Sequence, residues 1–428
     1  MPEFAQTSAS TVESFITEIR INKIRHIENF DIPLSGTERK TLILTGKNGS
    51  GKTSLLNAID GNLMRTISQT PIQQNHIKAE IVRLEKEMQK LKNQGQVQFV
   101  RGHHIPQLQQ LNDQLLGFGL SVTYNLAPAS LYTKGNFVVS YFRAKRATEF
   151  NEPEGVKKIE TKPAYSANES IGREFVQYLV NLKANKAFAK EQGDEAEARR
   201  IDDWFASFET KLRSIFQSEG LELAFDYKNA YTFQIRENNR EPYSFNQLSD
   251  GFSSILDIIT ELIMRMENKG QTTAIYDMQG VVLIDEIETH LHVSLQKQIL
   301  PFLTTFFPKI QFIVTTHSPF ILTSLENAVI CDLEKQTVIS SSIAYPVDSV
   351  TENYFNEGRH SAPLVEKVAE YKTLASRQNL ADGEAARFEE LKKYFEDTSN
   401  ILTDELASEI QNIKLMLLKK KASGGKNK

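Results

Sequence analysis

The feature that most constrains the fold of this chain is a glycine-rich turn between an apolar strand and a helix. Residues 46–53 read G-K-N-G-S-G-K-T and follow the apolar run TLILT at 41–45. Glycines at these positions allow backbone N–H groups to converge on phosphate oxygens at the electropositive start of the next helix. The spacing therefore predicts a strand, a phosphate-binding loop and a helix, and a chance glycine-rich turn is a poor alternative.

The other residues of this loop indicate a nucleotide ligand with Mg²⁺. We expect Lys52 to reach the β- and γ-phosphates and the Thr53 hydroxyl to ligate the metal ion. The residues of this segment that we predict to bind the nucleotide are Gly46, Lys47, Asn48, Gly49, Ser50, Gly51, Lys52, Thr53 and Ser54.

A second motif predicts the carboxylates that a nucleotide-hydrolysing site needs. The run VVLIDE at 281–286 reads as a buried strand that ends in two acids, and ligands of open α/β sheets bind at the carboxyl ends of strands. We expect Asp285 to hold Mg²⁺ and Glu286 to act as general base toward the attacking water. An apolar strand that ends in Asp-Glu is common by itself, so this prediction depends on its pairing with the glycine-rich loop.

Two further segments complete the pattern. The tetrapeptide LSDG at 248–251 opens a helix. Ser249 and Gly251 at that helix start suit the γ-phosphate of a nucleotide held by a second copy of the chain, and an ordinary serine N-cap is the alternative. His317 follows the apolar run IQFIVTT, where we expect it to lie beside the γ-phosphate as a polar sensor. The alternative for His317 is a structural histidine at a strand end.

The rest of the chain predicts an α/β architecture with helical additions. Apolar strands alternate with helical patterns after residue 243, which indicates a mainly parallel sheet. Apolar residues at heptad spacing between 77 and 115 form two runs around the polar break 93–104. They predict a short antiparallel helical hairpin or, equally, two amphipathic helices packed on the main body. The helical stripes at 171–179 and 201–215, with the single tryptophan Trp204, are predicted to be core.

These motifs and their order resemble the ATP-binding cassette fold, in its SMC/RecF-like branch. The opening IRINKIRHIENFDIPL is similar to that family's N-terminal strands. LIDEIETHLH at 283–292 resembles the D-E-x-E-x-H-L-H segment of the OLD-like ATPases, and VTTHSPFIL at 314–322 resembles their histidine switch. The resemblance implies an ATPase that uses ATP and Mg²⁺, with Glu286 and His317 in catalysis, Thr53 and Asp285 on the metal, and Ser249 and Gly251 acting in trans.

The resemblance also implies an ABC-type P-loop ATPase head with added helical parts. We expect the core in three pieces, a helical-hairpin insertion, a helical subdomain and a helical C-terminal extension. The predicted ranges are 15–75, 118–165 and 221–345 for the core, 76–117 for the hairpin, 166–220 for the subdomain and 346–428 for the extension with its tail. An apolar stripe at 402–417 is predicted to pack on the chain's own core or to bind a partner.

Some of the family's residues have no counterpart here. The usual lid glutamine is missing, because no Gln occurs between Gln114 and Gln177; Arg143 or Arg146 could take its place, and a basic surface turn is equally compatible with that segment. His290 and His292 suggest zinc by their spacing, but neither a Cys nor a third ligand accompanies them. The Asp-x-Asp pair of the OLD nucleases' Toprim domain is absent after Cys331.

An ATPase without its own effector domain resembles the Septu and retron-associated ATPases of bacterial anti-phage systems. That resemblance implies a sensor or regulatory subunit that forms a homodimer or higher oligomer around ATP and acts with a separate effector protein, a nuclease or toxin. The alternatives are a RecF-like DNA-repair ATPase, a transporter's ATPase and a nucleotide-stabilised scaffold. The net charge of −4 argues mildly against DNA binding, and the lack of a long apolar run or leader predicts a cytoplasmic protein.

Overall fold

The computed structural model describes the chain in segments that fall into two compact units, residues 1–350 and 351–428. The described residues are 13–68, 74–94, 97–146, 149–160, 162, 164–167, 169–228, 231–238, 240–267, 278–340, 362–377, 382–397, 410, 411 and 413.

The first unit contains eleven strands among its described residues. They are β1 (Ile16–Ile24), β2 (Ile27–Pro33), β3 (Thr41–Thr45), β4 (Leu120–Tyr124), β5 (Phe137–Phe142), β6 (Glu222–Asp226), β7 (Thr232–Arg236), β8 (Gln279–Ile284), β9 (Ile310–Thr315), β10 (Ala328–Asp332) and β11 (Thr337–Ser340).

Six of these strands form the central sheet, in the order β11-β10-β3-β9-β8-β5. All neighbours pair in parallel except β10 and β11, which are antiparallel. The residues of β3, β5, β9 and β10 are buried without interruption, because a parallel sheet is covered on both faces. The predicted parallel sheet is therefore confirmed, and β3, β8 and β9 bring the three motif-bearing strand ends side by side.

A smaller antiparallel sheet, in the order β2-β1-β4, packs into the same core. Ile19 of β1 lies opposite Ile32 of β2 and Val122 of β4. β6 and β7 form a separate antiparallel hairpin.

Both units contain α-helices among their described residues. They are α1 (Lys52–Ser68), α2 (Gln74–Asn93), α3 (Val97–Phe99), α4 (Ile105–Leu116), α5 (Ala129–Thr133), α6 (Phe175–Glu191), α7 (Glu195–Phe216), α8 (Asp250–Met266), α9 (Val293–Gln296), α10 (Ile299–Phe306), α11 (Pro319–Leu322), α12 (Ala362–Ser376) and α13 (Asp382–Asp397).

The predicted helical hairpin is formed by α2 and α4, but the break between them is shorter than expected. Residues 97–104 are helical, with a π-helical turn at Val100–His104. Val100 is fully buried against Leu84 and Met88, so burial of one apolar residue overrides the polar character of the break.

The aromatic stripes of α6 and α7 form the core of the helical subdomain, as predicted. Trp204 stacks on Phe208 at 5.2 Å between ring centroids, and Phe175 packs on Phe208 at 5.4 Å. Trp204 is thus a core residue.

The second unit has its own small core. Tyr371 of α12 and Phe395 of α13 are fully buried and pack together with Ile410 and Ile413. Two of the five apolar residues of the stripe at 402–417 are therefore covered within this unit, while Leu402, Leu406 and Leu417 lie outside the described residues. Among the described residues of both units, no helix is long and apolar enough to cross a bilayer.

Candidate nucleotide site

The loop between β3 and α1 has a backbone that only glycine adopts readily at three positions. Gly46, Gly49 and Gly51 have φ values of +131°, +85° and +98°. A Cβ on Gly46 would also lie 2.8 Å from Ser50 Oγ. The Ser50 hydroxyl itself is buried and has no hydrogen-bond partner. A buried hydroxyl without a partner inside a curve of backbone N–H groups fits a phosphate ligand.

Lys52 is buried at the first position of α1, with its ammonium over the loop. Its Nζ donates to the carbonyl oxygens of Gly46 at 2.8 Å and Lys47 at 3.1 Å. Burial lowers the pKa of Lys52, and the carboxylates of Glu286 and Glu288 oppose that shift. A cation held in this way at the mouth of the loop fits a polyphosphate.

Asp285 joins this loop to the end of β8. Its Oδ2 accepts a hydrogen bond from Thr53 Oγ1 at 2.9 Å, and its Oδ1 accepts one from Thr315 Oγ1 of β9 at 2.6 Å. A carboxylate and a hydroxyl in contact are the oxygen ligands that Mg²⁺ prefers next to phosphates. The two residues that the sequence predicts to hold the metal, 232 positions apart, are thus in direct contact.

Glu286 has an unusual backbone conformation directly after Asp285. Its φ is +46°, which is costly for a residue with a side chain. Its N–H donates to Thr315 Oγ1 at 2.7 Å, while the one contact of its half-buried carboxylate with the described residues is a long one, 3.5 Å from the Thr289 hydroxyl. The backbone of Glu286 is therefore held firmly and its side chain is left accessible.

Glu288 is a residue of this site that sequence reasoning missed. Its Oε1 accepts the backbone N–H of His317, and its Oε2 is buried without a partner. Burial and the nearby Lys52 ammonium lower the pKa of His317, and the carboxylates of Glu288 and Glu286 oppose that shift. The histidine therefore shares the electrostatic environment of the loop, and the second acid of the D-E-x-E spacing was the signal that could have found Glu288.

Ser249 and Gly251 line a cavity of about 420 Å³ at the start of α8. Ser249 is the exposed N-cap residue of α8, the position that the alternative expects, but its side chain makes no capping hydrogen bond. A Cβ on Gly251 would lie 2.8 Å from the carbonyl oxygen of His290, so glycine is needed for this close approach.

His290 and His292 line the same cavity. His292 Nδ1 accepts the N–H of Ser294 at 3.4 Å and caps α9. Among the described residues there is no group of three His, Cys, Asp or Glu side chains that could hold a metal ion.

The two arginines considered for the missing glutamine have different environments. Arg146 is 8 % exposed, so the interpretation as a basic surface turn is wrong for it. Its guanidinium bonds the backbone of residues 285–287. Arg143 is exposed, with its guanidinium 4.9 Å from the ring centre of Tyr141. The Tyr141 hydroxyl donates to Asn57 Oδ1 of α1 at 2.8 Å.

The chain is similar to known ATPase-related proteins. Residues 141–323 match a family model described as "AAA domain, putative AbiEii toxin, Type IV TA system". The Septu protein PtuA of Bacillus mycoides (strain KBAB4) is 26 % identical over 351 residues, which cover 76 % of this chain and 41 % of that protein. The chain therefore spans less than half the length of this relative.

Two further proteins align over most of the chain. The Retron Vc95 probable ATPase of Vibrio cholerae serotype O1 biovar El Tor is 22 % identical over 426 residues, which cover 84 % of this chain and 82 % of that protein. A solved Smc head bound to the C-winged helix domain of ScpA is 12 % identical, covers 77 % of this chain and 98 % of its own, and has a TM-score of 0.39.

Proposed function

We propose that the chain is an SMC/RecF-like ABC-type ATPase, which binds ATP with Mg²⁺ on the loop 46–53 and hydrolyses it. The observation that carries this proposal is the contact of Thr53 with Asp285, 2.9 Å between their oxygens. It unites the phosphate-binding loop and the acidic strand end in one site.

Each residue has a distinct part in the proposed reaction. Lys52 and the loop N–H groups bind and orient the phosphates. Thr53 and Asp285 hold Mg²⁺, which neutralises charge on the phosphate oxygens when it is bound. Glu286 takes the proton of the attacking water. Burial and the Lys52 ammonium lower the pKa of His317, which favours the neutral imidazole, and its ring hydrogen-bonds beside the γ-phosphate.

We propose that a second copy of the chain completes the site. The exposed Ser249 at the start of α8, with no capping bond of its own, has its hydroxyl available for a phosphate held elsewhere. A 17-residue helix adds a favourable dipole for an anion at that end. ATP bound by one copy would thus join the two copies.

We further propose that this ATP-dependent assembly is the sensor or regulatory subunit of a bacterial defence system and acts with a separate effector protein. The similarity to a Septu protein and to a retron ATPase supports this role. A RecF-like DNA-repair ATPase is the second candidate, supported by the exposed cations Arg143 and Lys145. Salt-dependent binding to DNA would favour the second candidate over the first.

The test of the proposed chemistry is phosphate release from ATP by the purified chain. Lys52→Ala removes the buried ammonium and should abolish release. Lys40→Ala, at the other end of β3 and paired with Glu38 at 2.7 Å, is the matched control and should leave the rate unchanged. Equal rates for wild type and Lys52→Ala would refute the proposal. Native purification with the products of neighbouring genes, followed by mass spectrometry, tests for the effector.

A further inference from the structure

We propose that Arg146 is a positioning residue for ATP hydrolysis: its guanidinium fixes the backbone of residues 285–287 and thereby aims the Glu286 carboxylate. This inference rests on the proposed function. It assigns Arg146 a part different from that of the missing lid glutamine, because its donors are directed at the protein backbone.

The carbonyl oxygens of residues 285–287 are all acceptors of this one side chain. Nη1 donates to the Asp285 oxygen at 2.9 Å, and Nη2 donates to the Glu286 oxygen at 3.0 Å. The oxygen of Ile287 lies at the outer limit, 3.5 Å from Nη2. The third residue is therefore held more weakly than the first two.

The N–H groups of the same three residues are held from the other side. Asp285 N donates to the Phe142 oxygen of β5 at 2.8 Å, and Ile287 N donates to the Thr315 oxygen at 3.1 Å. Glu286 N donates to the Thr315 hydroxyl at 2.7 Å. Strand β8 ends at Ile284. Arg146 therefore donates to the carbonyl oxygens of residues 285–287 the hydrogen bonds that a neighbouring strand would otherwise donate.

This double restraint explains how Glu286 keeps its backbone at φ +46°. A non-glycine residue in that region is strained and persists only where its surroundings impose that conformation. Among the described residues, the carboxylate has one long contact, 3.5 Å from the Thr289 hydroxyl, so the backbone sets the direction in which the side chain leaves the main chain.

Arginine is suited to this position and lysine is not. The guanidinium is a planar fork with five donors, whereas an ammonium is a compact point charge that cannot span several carbonyls in fixed geometry. Arg146 is also buried, which lowers its pKa, and the carboxylate of Asp257 on α8 opposes that shift. Both residues line a cavity of about 270 Å³, through which a small molecule could reach the space of a truncated side chain.

The experiment compares Arg146→Lys and Arg146→Ala with Lys145→Ala, which removes an exposed cation from the same loop. ATP affinity, kcat and the melting temperature are measured for each. We expect both Arg146 variants to keep ATP affinity within about threefold while kcat falls about 10- to 100-fold, as for a misplaced catalytic group. Lys145→Ala should resemble wild type. Methylguanidinium at millimolar concentration should restore part of kcat in Arg146→Ala and none in Arg146→Lys.

A second variant pair tests whether Arg146 acts through Glu286. In a Glu286→Gln background, Arg146→Lys should change the residual rate by less than about twofold, because residues that act as a unit are not additive. The inference would be overturned if the effects of Arg146→Lys and Glu286→Gln on the hydrolysis rate were fully additive. An unchanged kcat in Arg146→Lys, or equal losses of ATP affinity and kcat, would also overturn it. Where Arg146→Ala does not fold, the Arg146→Lys results decide. A wild type without phosphate release contradicts the proposed function itself, which is a different outcome.

Discussion

Replacement of Glu286 by glutamine separates chemistry from structure at the candidate site. Glutamine has the same shape but cannot accept a proton from water. In the part of the chain that the structure describes, the carboxylate of Glu286 has one hydrogen-bond contact, 3.5 Å from the Thr289 hydroxyl, whereas its backbone N–H bond to Thr315 does not depend on residue type. We therefore expect the free energy of unfolding to change by no more than about 0.5 kcal/mol.

The expected effect on catalysis is far larger. Loss of a general base lowers rates by about 10²–10⁴, which is about 2.7–5.5 kcal/mol of activation free energy. Because Lys52 and the glycine-rich loop are untouched, Glu286→Gln should bind ATP normally. Single-turnover hydrolysis of labelled ATP, with the bound nucleotide extracted and separated, measures both the amount of ATP bound and the rate of its hydrolysis.

Glu288→Gln is the matched control for this variant. The glutamine carbonyl can still accept the N–H of His317, which Glu288 Oε1 accepts in the wild type. We therefore expect hydrolysis within about tenfold of wild type. A Glu286→Gln rate within a few-fold of wild type, or a larger loss in Glu288→Gln, would refute the assignment of the base and transfer it to Glu288 or His317.

Three further outcomes are expected. Ser249→Arg puts bulk and charge at the exposed start of α8, so it should keep ATP binding by the single chain but abolish an ATP-dependent mass increase in static light scattering; an unchanged increase contradicts the trans role. Asp285→Asn should raise the Mg²⁺ concentration for half-maximal hydrolysis at least about tenfold, and an unaltered Mg²⁺ requirement in this variant would exclude Asp285 as a ligand. EDTA should stop the wild-type reaction. Burial raises the pKa of Glu267 to about 7 from 4.5. The stability that this group contributes is therefore present below pH 4.5 and lost as the pH rises through 7. In thermal melts, the folded state of Glu267→Gln should be more stable than that of wild type by on the order of 1–3 kcal/mol at pH 8 and by little at pH 5.

Local features of the site could be predicted from the sequence because they follow from spacing alone. The glycines at 46, 49 and 51 have the positive φ values that the loop pattern requires. The contact between Thr53 and Asp285 follows from the topology, since the parallel strands β3, β9 and β8 bring their carboxyl ends to one edge of the sheet. The buried aromatic stripe of α7 follows from helical periodicity.

The parts that could not be predicted depend on contacts between distant residues. Arg146 and Asp285 are 139 positions apart, and no periodicity links them. Glu288 and His317 are 29 positions apart, and their bond involves a backbone N–H that carries no sequence signature. The helical turn at 100–104 forms because Val100 fits between the two hairpin helices, which residue polarity alone does not indicate.

The measurement that tests the central claim most directly is isothermal titration calorimetry of ATP into the purified chain. The account predicts saturable binding of one ATP per chain with Mg²⁺, and a loss of affinity of at least about 100-fold in Lys52→Ala, because that ammonium lies on the carbonyls of Gly46 and Lys47 at the mouth of the loop. No binding by the wild type, or the same affinity in Lys52→Ala, would contradict it.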